Sequence, residues 1–270
     1  MKLADIFETR IEEKIDPVIK VGEVQDEAKL ASEIGAYVVT PTIEKYVDEF
    51  LEHFTDTFRL QTTETGAWIS GYFGSGKSYL AKILALLVEN RTLQGHTASK
   101  RFEGRVPPAA PRRSSILRTL GRLDQCGTRV LAFNLNTLVD SKTPPLPRLL
   151  LSQYYQSRGY SSNLLYARVI EQEIDRRGKL DALHKEVAAL ADRPWSDIQK
   201  NPGFYSKHLY EAACKVAPDA FATPDDAAQA LKNAEKGDLY NAQFLVQTML
   251  DDLALREQET RKPARILLVL

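Results

Sequence analysis

Residues 71–78 read Gly71-Tyr72-Phe73-Gly74-Ser75-Gly76-Lys77-Ser78 and match the pattern G-x-x-x-x-G-K-[ST] at every fixed position. This pattern is typical of a loop that binds the phosphates of a nucleotide. A short apolar run, residues 67–69, precedes the loop, and a run of good helix formers, residues 80–87, follows it. Strand, loop and helix are therefore predicted in the required order. A glycine-rich turn that matches by chance is the weaker alternative, because it would not need this context.

Each residue type in the loop suits phosphate binding. The glycines let the backbone turn tightly with its N–H groups facing a polyphosphate. Lys77 can reach the β- and γ-phosphates of ATP, and the Ser78 hydroxyl can ligate Mg²⁺. We therefore predict Lys77 as the catalytic residue and Ser78 as the magnesium contact through the nucleotide. The predicted cofactor-binding residues are Gly71, Gly74, Ser75, Gly76, Lys77, Ser78 and Tyr79.

Composition excludes several other classes of protein. With 36 basic and 36 acidic residues, the formal net charge is zero, so no overall field favours nucleic acid or an anionic membrane. The longest strongly apolar stretch, residues 83–88, is far shorter than the roughly 20 residues that span a bilayer. The acidic N-terminus lacks a continuous apolar signal region, and Cys126 and Cys214 stand alone, as reduced thiols do. We expect a cytoplasmic protein without a membrane partner.

The remaining sequence indicates a mixed core interrupted by a helical region. Thr40-Pro41 and an apolar spacing of three and four predict a helix that runs to about Phe58. Apolar runs predict strands at 129–135 and 264–270. Beyond Pro147, periodicity predicts helices at Arg148–Ser157, Asn163–Arg176, Leu180–Ala191, Tyr205–Val216, Pro224–Glu235 and Tyr240–Arg256. The predicted domains are an N-terminal segment (1–65), the first part of a P-loop core (66–140), a helical insertion (141–261) and a truncated Walker B strand (262–270).

Residues 92–115 carry prolines and small or basic residues, and they predict a long surface loop. The seven basic residues between His96 and Arg122 are Lys100, Arg101, Arg105, Arg112, Arg113, Arg118 and Arg122. They could contact DNA phosphates through residues 96–122, or they could form a solvated basic loop. The solvated loop is favoured because this stretch has one aromatic residue and no known nucleic-acid-binding module.

Four segments together resemble a known family. They are Asp5-Ile6-Phe7, Lys14-Ile15-Asp16-Pro17-Val18-Ile19-Lys20-Val21, Tyr37-Val38-Val39-Thr40 and Trp68-Ile69-Ser70 with the loop that follows it. In these segments the chain is similar to the BrxC and PglY family of BREX-system P-loop proteins, which are large ATPases of bacterial anti-phage defence. The resemblance covers about residues 1–91. It implies ATP binding through Gly74, Gly76, Lys77 and Ser78, with other defence-complex proteins, and a second copy of the chain, as candidate partners.

The resemblance also implies a fold. This fold is an α/β P-loop NTPase core of the additional-strand ASCE or AAA-like class, incomplete at its C-terminus and carrying a large helical insertion. Its sheet order is 5-1-4-3-2, with strand 1 before the loop, strand 2 at Arg129 and strand 3 at Arg265. Strands 4 and 5 would follow Leu270, as in an N-terminal fragment of a longer protein. The strand at 67–69 would then lack partners, and the chain alone is expected to be partly folded or prone to aggregate, with exposed sheet edges.

Three functions are compatible with these patterns. The first is the ATPase component of a BREX/Pgl anti-phage system. The second is a nucleotide-binding or scaffold fragment without turnover, and the third is a P-loop ATPase or kinase unrelated to phage defence. Hydrolysis needs an acidic residue directly after a strand, and Asp140, five residues beyond the 129–135 strand, is a poor substitute. We therefore expect these 270 residues to hydrolyse ATP negligibly.

Overall fold

The computed structural model describes residues 26–60, 62–63, 66–134, 145–235 and 241–270. The chain divides into two compact units: residues 1–139 with 250–270, called here the loop unit, and residues 140–249, called the helical unit. Segments 5–7 and 14–21, which contribute to the family resemblance, lie outside the described residues, as does Asp140.

The loop unit is built mainly from helices. Its helices up to residue 134 are α1 (Glu27–Ala36), α2 (Pro41–Asp56), α3 (Lys77–Glu89), α4 (Ala98–Glu103) and α5 (Arg113–Leu123). Its strands are β1 (Thr92–Leu93), β2 (His96–Thr97), β3 (Gly127–Ala132) and β4 (Ala264–Val269). Helix α3 is buried along most of its length and contacts α2, α4, α5 and both of the longer strands. The core therefore surrounds the helix that follows the glycine-rich loop.

Helix α2 confirms the prediction from Thr40-Pro41. The Thr40 hydroxyl accepts a hydrogen bond from the Ile43 N–H at 3.3 Å, which satisfies one of the free donors at the helix start. Pro41 occupies the first helical position, where its missing N–H costs nothing. Val47 and Leu51, four residues apart, are fully buried. The helix ends at Asp56, slightly before the predicted end.

The two apolar runs predicted as strands do form strands, and they pair with each other. β3 and β4 are parallel, in a register that joins Gly127 to Ala264 and Ala132 to Val269. Beyond this register the Phe133 N–H donates to the Val269 carbonyl at 3.1 Å. The pairing agrees with the neighbouring positions that strands 2 and 3 have in the expected strand order.

The predicted fold class is wrong. The described residues contain two sheets of two strands each, β1–β2 and β3–β4, and no extended parallel sheet of a P-loop NTPase. Residues 66–72 belong to no strand, and the Trp68 side chain is 92% exposed. The physical reason is that a strand needs a partner for its backbone N–H and C=O groups. No described strand lies beside residues 67–69, so this apolar run stays outside the sheet.

The long surface loop predicted for residues 92–115 is also wrong. Gln94 and Gly95 both have a positive φ (45° and 83°), which allows a tight turn between β1 and β2. The Thr97 hydroxyl then caps α4 by accepting from the Lys100 N–H at 3.3 Å. Phe102 is completely buried. This segment is folded because it buries apolar side chains against α1 and α3. Its prolines and basic residues give it the composition of a loop, so the sequence alone does not show this burial.

The helical unit has its own apolar core. Its elements are α6 (Leu146–Ser157), α7 (Leu164–Tyr166), a π-helical turn (Ala167–Glu171), α8 (Gln172–Asp175), α9 (Leu180–Ala191), α10 (Trp195–Ile198), a 3₁₀ turn (Pro202–Tyr205), α11 (Ser206–Val216), α12 (Pro224–Ala234) and α13 (Ala242–Thr260), whose last residues from Leu250 onwards belong to the loop unit. The helices predicted at 180–191, 205–216 and 224–235 are confirmed within one residue. The helix predicted at 163–176 is interrupted by the π-helical turn, and α10 was not predicted.

Candidate nucleotide-binding loop

The loop at residues 71–76 has a backbone shape that requires glycine. Gly74 and Gly76 have φ of 78° and 80°, in the left-handed region that residues with a Cβ rarely adopt. The Ser75 N–H donates to the Tyr72 carbonyl at 3.2 Å and closes the turn. A Cβ on Gly71 would lie 2.9 Å from the Ser75 hydroxyl, which can rotate away. The turn therefore needs glycine at Gly74, which the motif leaves open, and at Gly76, which the motif fixes.

The turn leads directly into the N-terminus of α3. Gly76 is the residue before the helix, no side chain caps this end, and the first turn contains no acidic residue. The first regular bond joins the Leu80 N–H to the Gly76 carbonyl at 2.9 Å. The N–H groups before Leu80 and the partial positive charge of the helix end together favour an anion.

The Lys77 side chain folds back over the loop. Its Nζ donates to the Tyr72 carbonyl at 2.7 Å. This contact holds the ammonium group at the mouth of the turn, and the Ser78 side chain beside it is exposed. Lys77 therefore offers a cation and Ser78 an exposed hydroxyl beside the turn, which are the groups that a phosphate and Mg²⁺ would need. The residue types and the conformation fit ATP with Mg²⁺.

Tyr79, which the sequence predicts as a cofactor-binding residue, directs its side chain away from the loop. Its hydroxyl donates to the Glu33 carbonyl in α1, and its ring meets the Tyr37 ring edge-on, with centroids 4.8 Å apart. Burial, and next the negative charge of Glu33, raise the pKa of Tyr79 to about 12. Burial, and next Tyr79, raise the pKa of Tyr37 to about 12. Both phenols therefore stay protonated near neutral pH, and Tyr79 acts as a donor to α1.

These two pKa shifts predict an alkaline transition. Because the folded protein favours the neutral phenols, their stabilising contribution is complete below pH 10 and is lost as the pH rises through about 12. Burial also raises the pKa of Tyr160 and Tyr210, so other late-titrating tyrosines remain in either protein. We expect phenolate absorbance to show one late-titrating tyrosine fewer in Tyr79→Phe than in the wild-type chain. An unchanged number of late-titrating phenols in Tyr79→Phe would contradict this expectation.

Next to Tyr79 on the same face of α3 lies a buried ion pair that sequence reasoning missed. Lys82 Nζ donates to Glu33 Oε1 at 2.9 Å and lies 2.7 Å from Oε2. Lys82 is 1% exposed and Glu33 is 8% exposed. The signal in the sequence was a single charged residue inside the apolar run 80–88, but its partner lies 49 positions away.

Three aromatic residues in or just before the loop are exposed. Trp68, Tyr72 and Phe73 all present their side chains almost completely to solvent. Large aromatic side chains at this exposure are available to a ligand or a partner.

The basic segment at residues 96–122 makes many contacts within the loop unit. Three of its side chains donate to backbone carbonyls: Arg101 Nη2 to Leu93 at 2.7 Å, Arg105 Nε to Tyr37 at 3.0 Å, and Arg113 to Val106. The ion pairs of this segment are Lys100 with Glu103, Arg112 with Asp48 and Arg118 with Glu52, of which the first and the last are exposed. Six of the seven basic side chains thus have a partner within the loop unit. This favours the structural interpretation of the segment over a contact with DNA.

Ser161, Glu171 and His184 form a cluster in the helical unit with the residue types of a catalytic triad. The N–H of Ser161 and its hydroxyl both donate to Glu171, and His184 Nε2 lies 3.5 Å from Glu171 Oε2. A nucleophilic serine needs its base in direct contact and an open path for substrate. Ser161 is 1% exposed and contacts Glu171 rather than the histidine. The cluster is a buried structural network.

Among the residues that the structure describes, no group of three or more His, Cys, Asp or Glu side chains could hold a metal ion. No helix there has both the length and the apolar character that crossing a membrane requires. In comparisons with known proteins, the chain matches no family model, and no solved structure matches it.

Proposed function

We propose that the chain binds ATP with Mg²⁺ through residues 71–78 and is an ATP-binding component of a bacterial anti-phage defence system of the BREX type. The observation that carries the binding proposal is the junction at Gly76. There a left-handed glycine opens onto the uncapped N-terminus of α3, with the Lys77 ammonium beside it. The defence role is supported by the resemblance of the N-terminal segments to the BrxC and PglY family. Binding is proposed for the loop and α3, without the extended sheet.

Each loop residue has a defined part in this binding. The N–H groups at the start of α3 donate to phosphate oxygens. Lys77 exchanges its contact with the Tyr72 carbonyl for charge-assisted hydrogen bonds to the phosphates. The exposed Ser78 hydroxyl ligates Mg²⁺, which when bound neutralises charge on the phosphate oxygens.

Nucleotide binding without turnover is the second candidate function. Hydrolysis by P-loop enzymes needs acidic groups that hold the metal ion or orient the attacking water. The first turn of α3 contains no acidic residue, and Phe133 and Asn134, rather than acidic residues, directly follow β3. This observation favours a chain that binds ATP and releases phosphate very slowly.

The proposal includes a cytoplasmic location and partners from the same defence system. The location is supported by two cysteines, Cys126 and Cys214, that form no disulfide. The proposed partners are other defence-complex proteins and a second copy of the chain. A DNA contact through residues 96–122 is the least supported of the partners, because most of the basic side chains there are engaged within the fold.

Titration calorimetry tests the binding proposal directly. We expect saturable binding of Mg·ATP by the wild-type chain and weaker binding of ATP when Mg²⁺ is removed by a chelator, because Ser78 then loses its contact. Circular dichroism in the same buffer shows whether the helices are formed. A chain with formed helices and no binding of Mg·ATP would overturn the proposal.

A further inference from the structure

Helix α3 carries a charged residue at a position where an apolar one would suffice. Lys82 is surrounded in sequence by buried apolar residues and is itself 1% exposed. Burying an ion pair costs desolvation energy that its attraction often only balances, so well-packed apolar residues are commonly as stabilising. Apolar packing would therefore stabilise the fold about as well as the Lys82–Glu33 pair does. What the pair adds is a fixed orientation of α3 relative to α1.

Glu33 contacts α3 in two ways. Its carboxylate accepts from Lys82 at 2.9 Å, and its backbone carbonyl accepts from the Tyr79 hydroxyl. Residues three apart lie on the same face of a helix, so both contacts hold one face of the first two turns. Tyr79 directly follows Ser78 and comes two residues after Lys77. A single residue of α1 thus holds α3 at the end that carries the loop.

The rest of α3 is held differently. Beyond Lys82, residues such as Ile83, Leu86 and Leu87 are buried by apolar packing. Apolar contacts are not directional, so they tolerate small rotations and shifts of a helix along its axis. Hydrogen-bonded charges and a phenol hydroxyl permit only one arrangement. The polar contacts therefore determine where the N–H groups at the start of α3 point.

We propose that Glu33 is a positioning residue for the loop at 71–78: through Lys82 and Tyr79 it sets the orientation of the start of α3, and with it the affinity for polyphosphate. This inference rests on the proposed binding of ATP. It assigns α1 a part in the site although α1 supplies no group that touches the nucleotide.

The test replaces the polar pair without leaving a buried charge alone. The double variant Glu33→Leu with Lys82→Met removes both charges and keeps side chains of similar size. Its matched control is Lys100→Met with Glu103→Leu, which removes the exposed pair of α4. Each is compared with the wild-type chain in its thermal unfolding, in Mg·ATP titrations, and in amide hydrogen exchange of Leu80 and Ala81, the first hydrogen-bonded amides of α3, against Leu86 and Leu87.

We expect the Glu33/Lys82 variant to keep a thermal midpoint close to that of the wild-type chain. Its affinity for Mg·ATP should fall on the order of 10- to 100-fold, as for residues that orient metal ligands without touching the ion. Exchange should accelerate at Leu80 and Ala81 but not at Leu86 and Leu87. The control variant should behave like the wild-type chain in all three measurements.

A folded Glu33/Lys82 variant with wild-type affinity and wild-type exchange at Leu80 and Ala81 would overturn the positioning role. A wild-type chain that binds no Mg·ATP would overturn the proposed function instead. In that case faster exchange confined to Leu80 and Ala81 in the variant still supports the positioning of α3, and unchanged exchange there refutes it. If the double variant fails to fold, Tyr79→Phe takes its place, because it removes one of the two contacts between Glu33 and α3. The expected result and the result that would overturn the proposal stay the same.

Discussion

Replacing Lys77 by alanine should weaken the binding of Mg·ATP by about 100-fold or more. The Lys77 ammonium already lies at the mouth of the loop, 2.7 Å from the Tyr72 carbonyl, and needs only a side-chain rotation to reach a bound anion. A hydrogen bond to a charged group contributes about 1.5–3 kcal/mol. Two such bonds to phosphate oxygens give roughly 3 kcal/mol or more, which corresponds to about 100-fold in the dissociation constant.

Calorimetry with Mg·ATP measures this loss, and thermal unfolding separates it from misfolding. Lys77 is partly exposed and its ammonium group donates to a loop carbonyl, so the midpoint of unfolding should change little. Lys100→Ala is the matched control, because Lys100 is an exposed lysine that pairs with Glu103 on α4. Equal affinity of Lys77→Ala and the wild-type chain would mean that any binding occurs somewhere other than this loop.

The amide hydrogens of Trp68 and Ile69 should exchange faster than those of Leu131 and Leu267 by a factor on the order of 10³ or more, because protection ranges from almost none in open segments up to the full stability of the fold in core strands. In the parallel register of β3 and β4, the N–H groups of Leu131 and Leu267 both point into the ladder. Trp68 and Ile69 belong to no helix or strand, and Trp68 is almost fully exposed.

Exchange followed by mass spectrometry or nuclear magnetic resonance on the monomeric chain gives this ratio. Adding Mg·ATP should slow exchange at the start of α3 and leave Trp68 and Ile69 fast, since nothing in the binding proposal gives residues 67–69 a strand partner. Strong protection of these two amides in the monomer would show that they do pair with a strand, and would restore the sheet arrangement that the described residues lack.

Elements with strong local signals were predicted well. Helix α2 begins where Thr40-Pro41 indicates, because the cap and the proline act within one helical turn. The apolar runs that became β3 and β4 were recognised because continuous apolar runs of β-prone residues are typical of strands, although β4 is only partly buried in the structure. The glycines at Gly74 and Gly76 were recognised because the positive φ that they adopt is a property of the residue itself.

Predictions that depended on distant partners were the ones that were wrong. Residues 67–69 have the composition of a strand, but a strand exists only where another strand accepts its backbone hydrogen bonds. The segment at 92–115 has the composition of a loop, yet Phe102 is buried beneath the helices around it. The composition of a segment indicates which secondary structures it can form, but it does not indicate which other segments it packs against.

The candidate site divides in the same way. Local sequence alone determined the loop turn, the start of α3 and the positions of Lys77 and Ser78, since all of these follow from residues within one or two turns of each other. The tertiary structure decided that Tyr79 faces α1 and that Lys82 pairs with Glu33. These contacts join residues more than 40 positions apart, and their energies depend on burial, which exists only once α1 and α3 have packed together.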